Sequence, residues 1–175
     1  MDVVRNQPNE YKVIALTAFS SADTLIEQAR EFVPEFVVIG NKSFYEYVRA
    51  ALFDLNIHVL AGQEALNTIS ATADADIVVT AMVGFAGLIP TMKAIETGKN
   101  IALANKETLV VAGDLVMEAA RKNGCAILPV DSEHSAVFQC LVGEDPSSIE
   151  KIILTASGGP FRNFTAQQLR NVTPA

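Results

Sequence analysis

The sequence predicts an α/β fold, a doubly wound, parallel, Rossmann-like sheet, on three observations. Short β-branched runs alternate with longer stretches of helical spacing along the whole chain. Those runs are almost continuously apolar, as in a parallel sheet covered by helices on both faces. The chain also opens on Asp2-Val3-Val4-Arg5 and then Asn6-Gln7-Pro8, which reads as the end of a helix and its stop signal. A doubly wound sheet ordinarily begins with a strand and a Gly-rich turn. The expected sheet therefore lacks its first strand, which is central in such folds, and its exposed edges favour self-association.

In chain order, strands are expected over 12–17, 36–40, 57–60, 76–82, 100–104, 125–130 and 151–155. The intervening helices are marked by apolar residues three and four apart, such as Leu25, Ile26, Ala29 and Phe32, or Leu115, Val116, Ala119 and Ala120. The turn-rich, acidic segment from Val142 to Ser148 is the one linker-like shift in composition, so the strand at 151–155 is expected to begin a second sheet.

The 175 residues carry 13 basic and 20 acidic side chains, a net charge of -7 and 50% hydrophobic residues. This balance excludes disorder and argues against a nucleic-acid surface. The longest apolar runs fall well short of the ~20 residues that span a bilayer, so no membrane partner is expected. Without an export signal at the N-terminus, and with Cys125 and Cys140 in no metal-ligand spacing, a cytoplasmic protein with reduced thiols is expected. His58, inside an apolar strand, reads as structural.

Ligands of open parallel sheets bind beyond the carboxyl ends of the strands. Five segments fall there: Ala18-Phe19-Ser20-Ser21, Val83-Gly84-Phe85-Ala86-Gly87, Asn105-Lys106-Glu107, Asp131-Ser132-Glu133-His134 and Ser157-Gly158-Gly159. Asn105 suits a helix cap and Glu107 the positive end of the helix dipole. Lys106 opposes that dipole, so it is either a ligand for an anionic group or a solvated lysine. Asp131 and Glu133 are either a cap and a dipole partner or two oxygen donors for Mg²⁺ or Mn²⁺. His134 reads as packed or solvated rather than as a ligand. The Gly84 turn either lets a cofactor approach the backbone or is simply tight. Ser157-Gly158-Gly159-Pro160 is either an anion nest or a plain turn. No G-x-G-x-x-G occurs, so a dinucleotide site does not follow from motif alone.

Three strings nevertheless resemble one family. They are Ala102-Leu103-Ala104-Asn105-Lys106-Glu107-Thr108-Leu109-Val110, the stretch from Leu128 through Pro129-Val130-Asp131-Ser132-Glu133-His134 to Gln139, and Ser157-Gly158-Gly159-Pro160-Phe161-Arg162. All resemble 1-deoxy-D-xylulose 5-phosphate reductoisomerase, collinearly over nearly the whole chain. The resemblance implies an NADPH-dependent, metal-dependent rearrangement and reduction of a sugar phosphate in isoprenoid precursor synthesis, and a homodimer when full length. It implies that Asp131 and Glu133 bind Mn²⁺ or Mg²⁺, that Lys106, Ser132 and Glu133 contact the substrate, and that Ser157 meets its phosphate. Lys106 and Glu133 would be catalytic. Phe19, Ser20, Ser21, Met82, Val83, Gly84, Asn105 and Glu107 would line the NADPH site.

The implied division is 1–130 for NADPH and 131–175 as the start of an incomplete catalytic domain. Where the family often has Gly-Lys-Asn, this chain has Phe19-Ser20-Ser21, two hydroxyls in place of an ammonium. The family's phosphate loop would precede Asp2 and its third carboxylate ligand would follow Ala175, so the 175 residues alone are expected to be inactive. The alternative is a non-catalytic Rossmann-like binding or scaffold module.

Overall fold

The computed structural model describes residues 1–155 and 159–173. Among the described residues, six short strands form two three-stranded sheets. The first has the order β1 (Ala15–Ala18), β2 (Phe36–Ile39), β3 (His58–Ala61). The second has the order β4 (Ile77–Thr80), β5 (Asn100–Leu103), β6 (Ile127–Pro129). The pairs β1–β2, β2–β3 and β4–β5 run parallel. No ladder among the described residues joins β1 to β4. In a doubly wound sheet the place between them belongs to the first strand, as the sequence led us to expect.

The chain divides into two units, residues 1–128 and 129–175. In the first, helix α2 (Ala22–Phe32) packs with α3 (Tyr45–Ala51) on the first sheet around Leu25, Ala29, Val37, Ile39, Val48 and Leu52. Helices α5 (Leu88–Glu96) and α6 (Glu107–Asn123) cover the second sheet around Ile95, Ile101, Leu103 and Val116. Helix α4 (Gln63–Thr72) joins the two halves. Its Leu66 and Ile69 pack with Val38 and Met82, and Lys99 Nζ donates to the carbonyls of Ala73 (2.6 Å) and Ala75 (3.3 Å) just past its end. The opening residues form α1 (Asp2–Asn6), which Arg5 ties to α2 through Glu31 and the ring of Phe32.

Several expectations need correction. The strand expected at 76–82 ends at Thr80, because the Thr80 carbonyl accepts from both Ala104 and Asn105 N–H and the chain turns away. The strand expected at 12–17 begins only at Ala15. The second sheet is not covered on both faces: Val78 joins the α5–α6 core, while Ile77 and Val79 on the opposite face are exposed. Leu115, expected on the inner stripe of α6, is exposed. His58 is exposed at the start of β3, its ring stacked on Phe36 with centroids 5.6 Å apart.

The second unit holds α7 (Ser132–Leu141) and α8 (Ala166–Leu169), and no helix in it has a buried residue. Residues 151–155 are not a strand. Ile152, Ile153 and Leu154 are exposed, and among the described residues no strand pairs with this apolar run. Both cysteines are free thiols. Among the described residues, no helix is long and apolar enough to cross a membrane.

Candidate active-site rim

The chemistry-bearing residues of the first unit sit just past the carboxyl ends of its strands. Beyond β5 the chain reaches Asn105, which is buried (3% exposed) at the entry to α6. Its carboxamide N–H₂ donates to the carbonyls of Met82 and Gly84 (2.8 Å to Gly84), and its Oδ1 accepts from Thr108 N (3.0 Å) and Thr108 Oγ1 (2.5 Å). The capping role legible in the sequence is therefore present, delivered to Thr108. The reach back to the turn after β4 is an addition that sequence spacing does not reveal.

That turn is built for close approach. Gly84 has φ +69°, a conformation disfavoured for residues with a Cβ. Val83 beside it is 91% exposed, an apolar side chain held out at the strand end. Behind it, the buried Thr91 donates its hydroxyl to the Gly87 carbonyl (2.6 Å). Asn105 thus holds the Met82-Val83-Gly84 turn through the carbonyls at its two ends, with Lys106 and Glu107 exposed at the start of α6.

Phe19, Ser20 and Ser21 occupy the corresponding position past β1. Ser21 is the N-terminal boundary residue of α2, yet its side chain makes no capping hydrogen bond. The Phe19 ring lies over Gly40, where a Cβ would come within 2.6 Å of Phe19 Cδ2.

In the second unit, Asp131 stands at the N-terminal boundary of α7. Its carboxylate makes no cap hydrogen bond, although its carbonyl accepts from Ser135 N (2.8 Å). Oδ1 instead meets His134 Nδ1 at 2.7 Å. His134 is exposed, as expected of a solvated residue, and it orients that carboxylate. Ser132 and Glu133 follow, exposed, in the first turn. Among the described residues, no group of three or more His, Cys, Asp or Glu gathers as a metal cage. Ser157 lies outside the described residues.

The family model described as 1-deoxy-D-xylulose 5-phosphate reductoisomerase matches residues 1–113, and that of the reductoisomerase C-terminal domain matches residues 127–175. The Bacteroides fragilis protein named 1-deoxy-D-xylulose 5-phosphate reductoisomerase is 58% identical over 173 residues, 99% of this chain and 45% of its own length. A solved Zymomonas mobilis reductoisomerase in complex with NADPH superposes with a TM-score of 0.86 at 40% identity, covering 99% of this chain and 45% of that one. A reductoisomerase solved with NADPH, fosmidomycin and magnesium gives 0.82 at 40% identity, covering 98% and 45%. The chain thus spans less than half the length of the relatives it matches. With one family model covering well over half of the residues, and a fold that superposes over nearly all of them, this chain belongs to the 1-deoxy-D-xylulose 5-phosphate reductoisomerase family.

Proposed function

We propose that this chain is the nucleotide-binding part of a reductoisomerase that converts 1-deoxy-D-xylulose 5-phosphate to 2-C-methyl-D-erythritol 4-phosphate with NADPH and a divalent metal. Residues 1–130 carry the nucleotide and 131–175 begin the catalytic domain. The protein is cytoplasmic and acts as a homodimer. The observation that carries the reading is the side chain of Asp131, which stands at a helix start without capping it and is oriented by His134. A carboxylate placed there for capping alone would point at the free N–H groups of the first turn.

The donor chemistry fits the groups the family uses. Asp131 and Glu133 offer hard oxygen atoms, suited to Mg²⁺ or Mn²⁺. Two carboxylates leave further coordination positions for substrate oxygens. When bound, the metal supplies Lewis acidity at the substrate's oxygens and the dinucleotide supplies hydride.

The chain's own residues do the rest. Lys106 neutralises negative charge on the substrate, Ser132 hydrogen-bonds it, and Ser157 receives its phosphate. Glu133 also meets the substrate. Asn105 fixes the Met82-Val83-Gly84 turn, so that Val83 presents an apolar face to a flat nicotinamide while Glu107 borders the same site. Phe19, Ser20 and Ser21 border the adenosine end.

Asp131→Asn, made in a complete enzyme carrying this sequence, separates the two roles of Asp131. Asn and Asp are equivalent as N-caps. A ligand role predicts weaker Mn²⁺ binding by titration and a fall in turnover of about 100-fold or more, on the order of 3 kcal/mol, with NADPH affinity and thermal stability unchanged. Unchanged Mn²⁺ dependence returns Asp131 to a purely structural role.

A further inference from the structure

The three strand ends of the first sheet are joined by backbone hydrogen bonds beyond the strands themselves. The β1–β2 ladder extends past both strands, with Gly40 N–H donating to the Ala18 carbonyl (2.8 Å) and Asn41 N–H to the Phe19 carbonyl (2.7 Å). Gly62 N–H donates to the Ile39 carbonyl (2.9 Å). Phe19, Gly40 and Gly62 therefore form one row across the sheet.

Two side chains lie down along that row, each over a glycine of the next strand. The Phe19 ring covers Gly40, and the Lys42 stem covers Gly62, where a Cβ would come within 2.5 Å of Lys42 Cε. The base of Lys42 is fixed, because Asn41 Oδ1 accepts from Ser43 N (3.0 Å) and Ser43 Oγ (2.8 Å) and so closes the 3₁₀ turn Lys42–Phe44.

Phe19 is 66% exposed, a large apolar ring on a polar rim. Lys42 is exposed too, and no acceptor among the described residues meets its ammonium. It is the one cation in the sequence of the loops at 19–21, 40–44 and 62–63. The nearest acid on α2, Asp23, is engaged by Tyr47 Oη (2.7 Å). Residues 19–22, directly past β1, include no carboxylate to accept the 2′-hydroxyl of an unphosphorylated ribose.

We propose that Phe19 and Lys42 form an adenosine 2′-phosphate subsite and set the preference for NADPH over NADH. This rests on the nucleotide reading of the rim. The exposed ring gives the adenine a face to stack on. The ammonium of Lys42, whose stem lies over the next glycine of the same row, meets a 2′-phosphate dianion, a charge-assisted contact that NADH cannot make.

The test uses the purified chain and calorimetric titration with 2′,5′-ADP, 5′-AMP and NADPH. Wild type is expected to bind 2′,5′-ADP more tightly than 5′-AMP by about tenfold or more. Lys42→Gln should abolish that difference while leaving 5′-AMP affinity unchanged, and Lys42→Arg should restore it. Phe19→Ala should weaken both nucleotides alike. Because both side chains are exposed, thermal melts of these variants should match wild type.

If wild type binds NADPH but shows no preference for 2′,5′-ADP, or if Lys42→Gln keeps the preference, the subsite is overturned and the nucleotide reading stands. The same holds if Phe19→Ala leaves both nucleotides unaffected. If wild type binds neither NADPH nor 2′,5′-ADP, the nucleotide reading falls and takes the subsite with it.

Discussion

Asn105 directs all four of its hydrogen-bonding positions at the protein itself: two donors to the turn after β4, and one oxygen shared by two groups of Thr108. It therefore acts on the rim by holding backbone. Sequence reasoning reached half of this role, since capping is local and an Asn three residues before Thr108 is a known pattern. The other half joins residues more than twenty positions apart, and no local spacing encodes it. Thr80, at the end of β4, is the counterpart that stays unsatisfied. Its hydroxyl is buried at 3% exposure and has no hydrogen-bond partner among the described residues. Burying such a group without a partner opposes folding, and Val has nearly the same shape. Thr80→Val is expected to raise stability by about 1 kcal/mol, read from the urea midpoint at unchanged slope. Destabilisation would mean that the hydroxyl has a partner in solution.

At the scale of elements, the alternation of strands and helices was legible because each buried strand is a short apolar run and each helix carries a periodic stripe. The failure at 151–155 has the same root. Lys-Ile-Ile-Leu-Thr has the composition of a strand, but a strand exists only as part of a ladder, and composition says nothing about whether a partner is present. Side-chain links between elements were likewise invisible in sequence. Arg30, in the last turn of α2, pairs with both oxygens of Asp54 (2.7 and 3.1 Å) and donates to the Ala51 carbonyl (2.5 Å) at the end of α3. The guanidinium hydrogen bond from Arg30, together with a backbone hydrogen bond, holds the Asp54 carboxyl below its ordinary value of 3.8. A carboxyl whose folded value is depressed contributes stability above its unfolded value and loses it as pH falls through the folded one. Asp54→Asn is expected to melt lower than wild type at pH 7, with the gap closing as pH drops below about 3.8. A gap independent of pH would show that the bridge contributes nothing through its charge.

At the scale of the molecule, two parallel half-sheets present their C-terminal rims, and the described helices of the second unit have no buried residue. The family was legible because two of its three strings fall on the turns past β5 and β6, the end of a parallel sheet at which ligands bind. The expectation of a gap in the middle of the sheet agrees with the two separate three-stranded sheets of the described residues. The lone lysine over Gly62 was not, since its significance depends on a neighbouring strand contributing a glycine at the same level.

Residues that supply the nucleotide- and metal-facing half of a reductoisomerase, as proposed above, should work inside a relative's chain. The most direct measurement replaces the matching segment of the Bacteroides fragilis relative with residues 1–175 and follows NADPH absorbance. The expected result is steady NADPH consumption that requires both 1-deoxy-D-xylulose 5-phosphate and Mg²⁺ or Mn²⁺. A chimera that folds and binds NADPH but consumes none, or consumes it without substrate or metal, would contradict the claim.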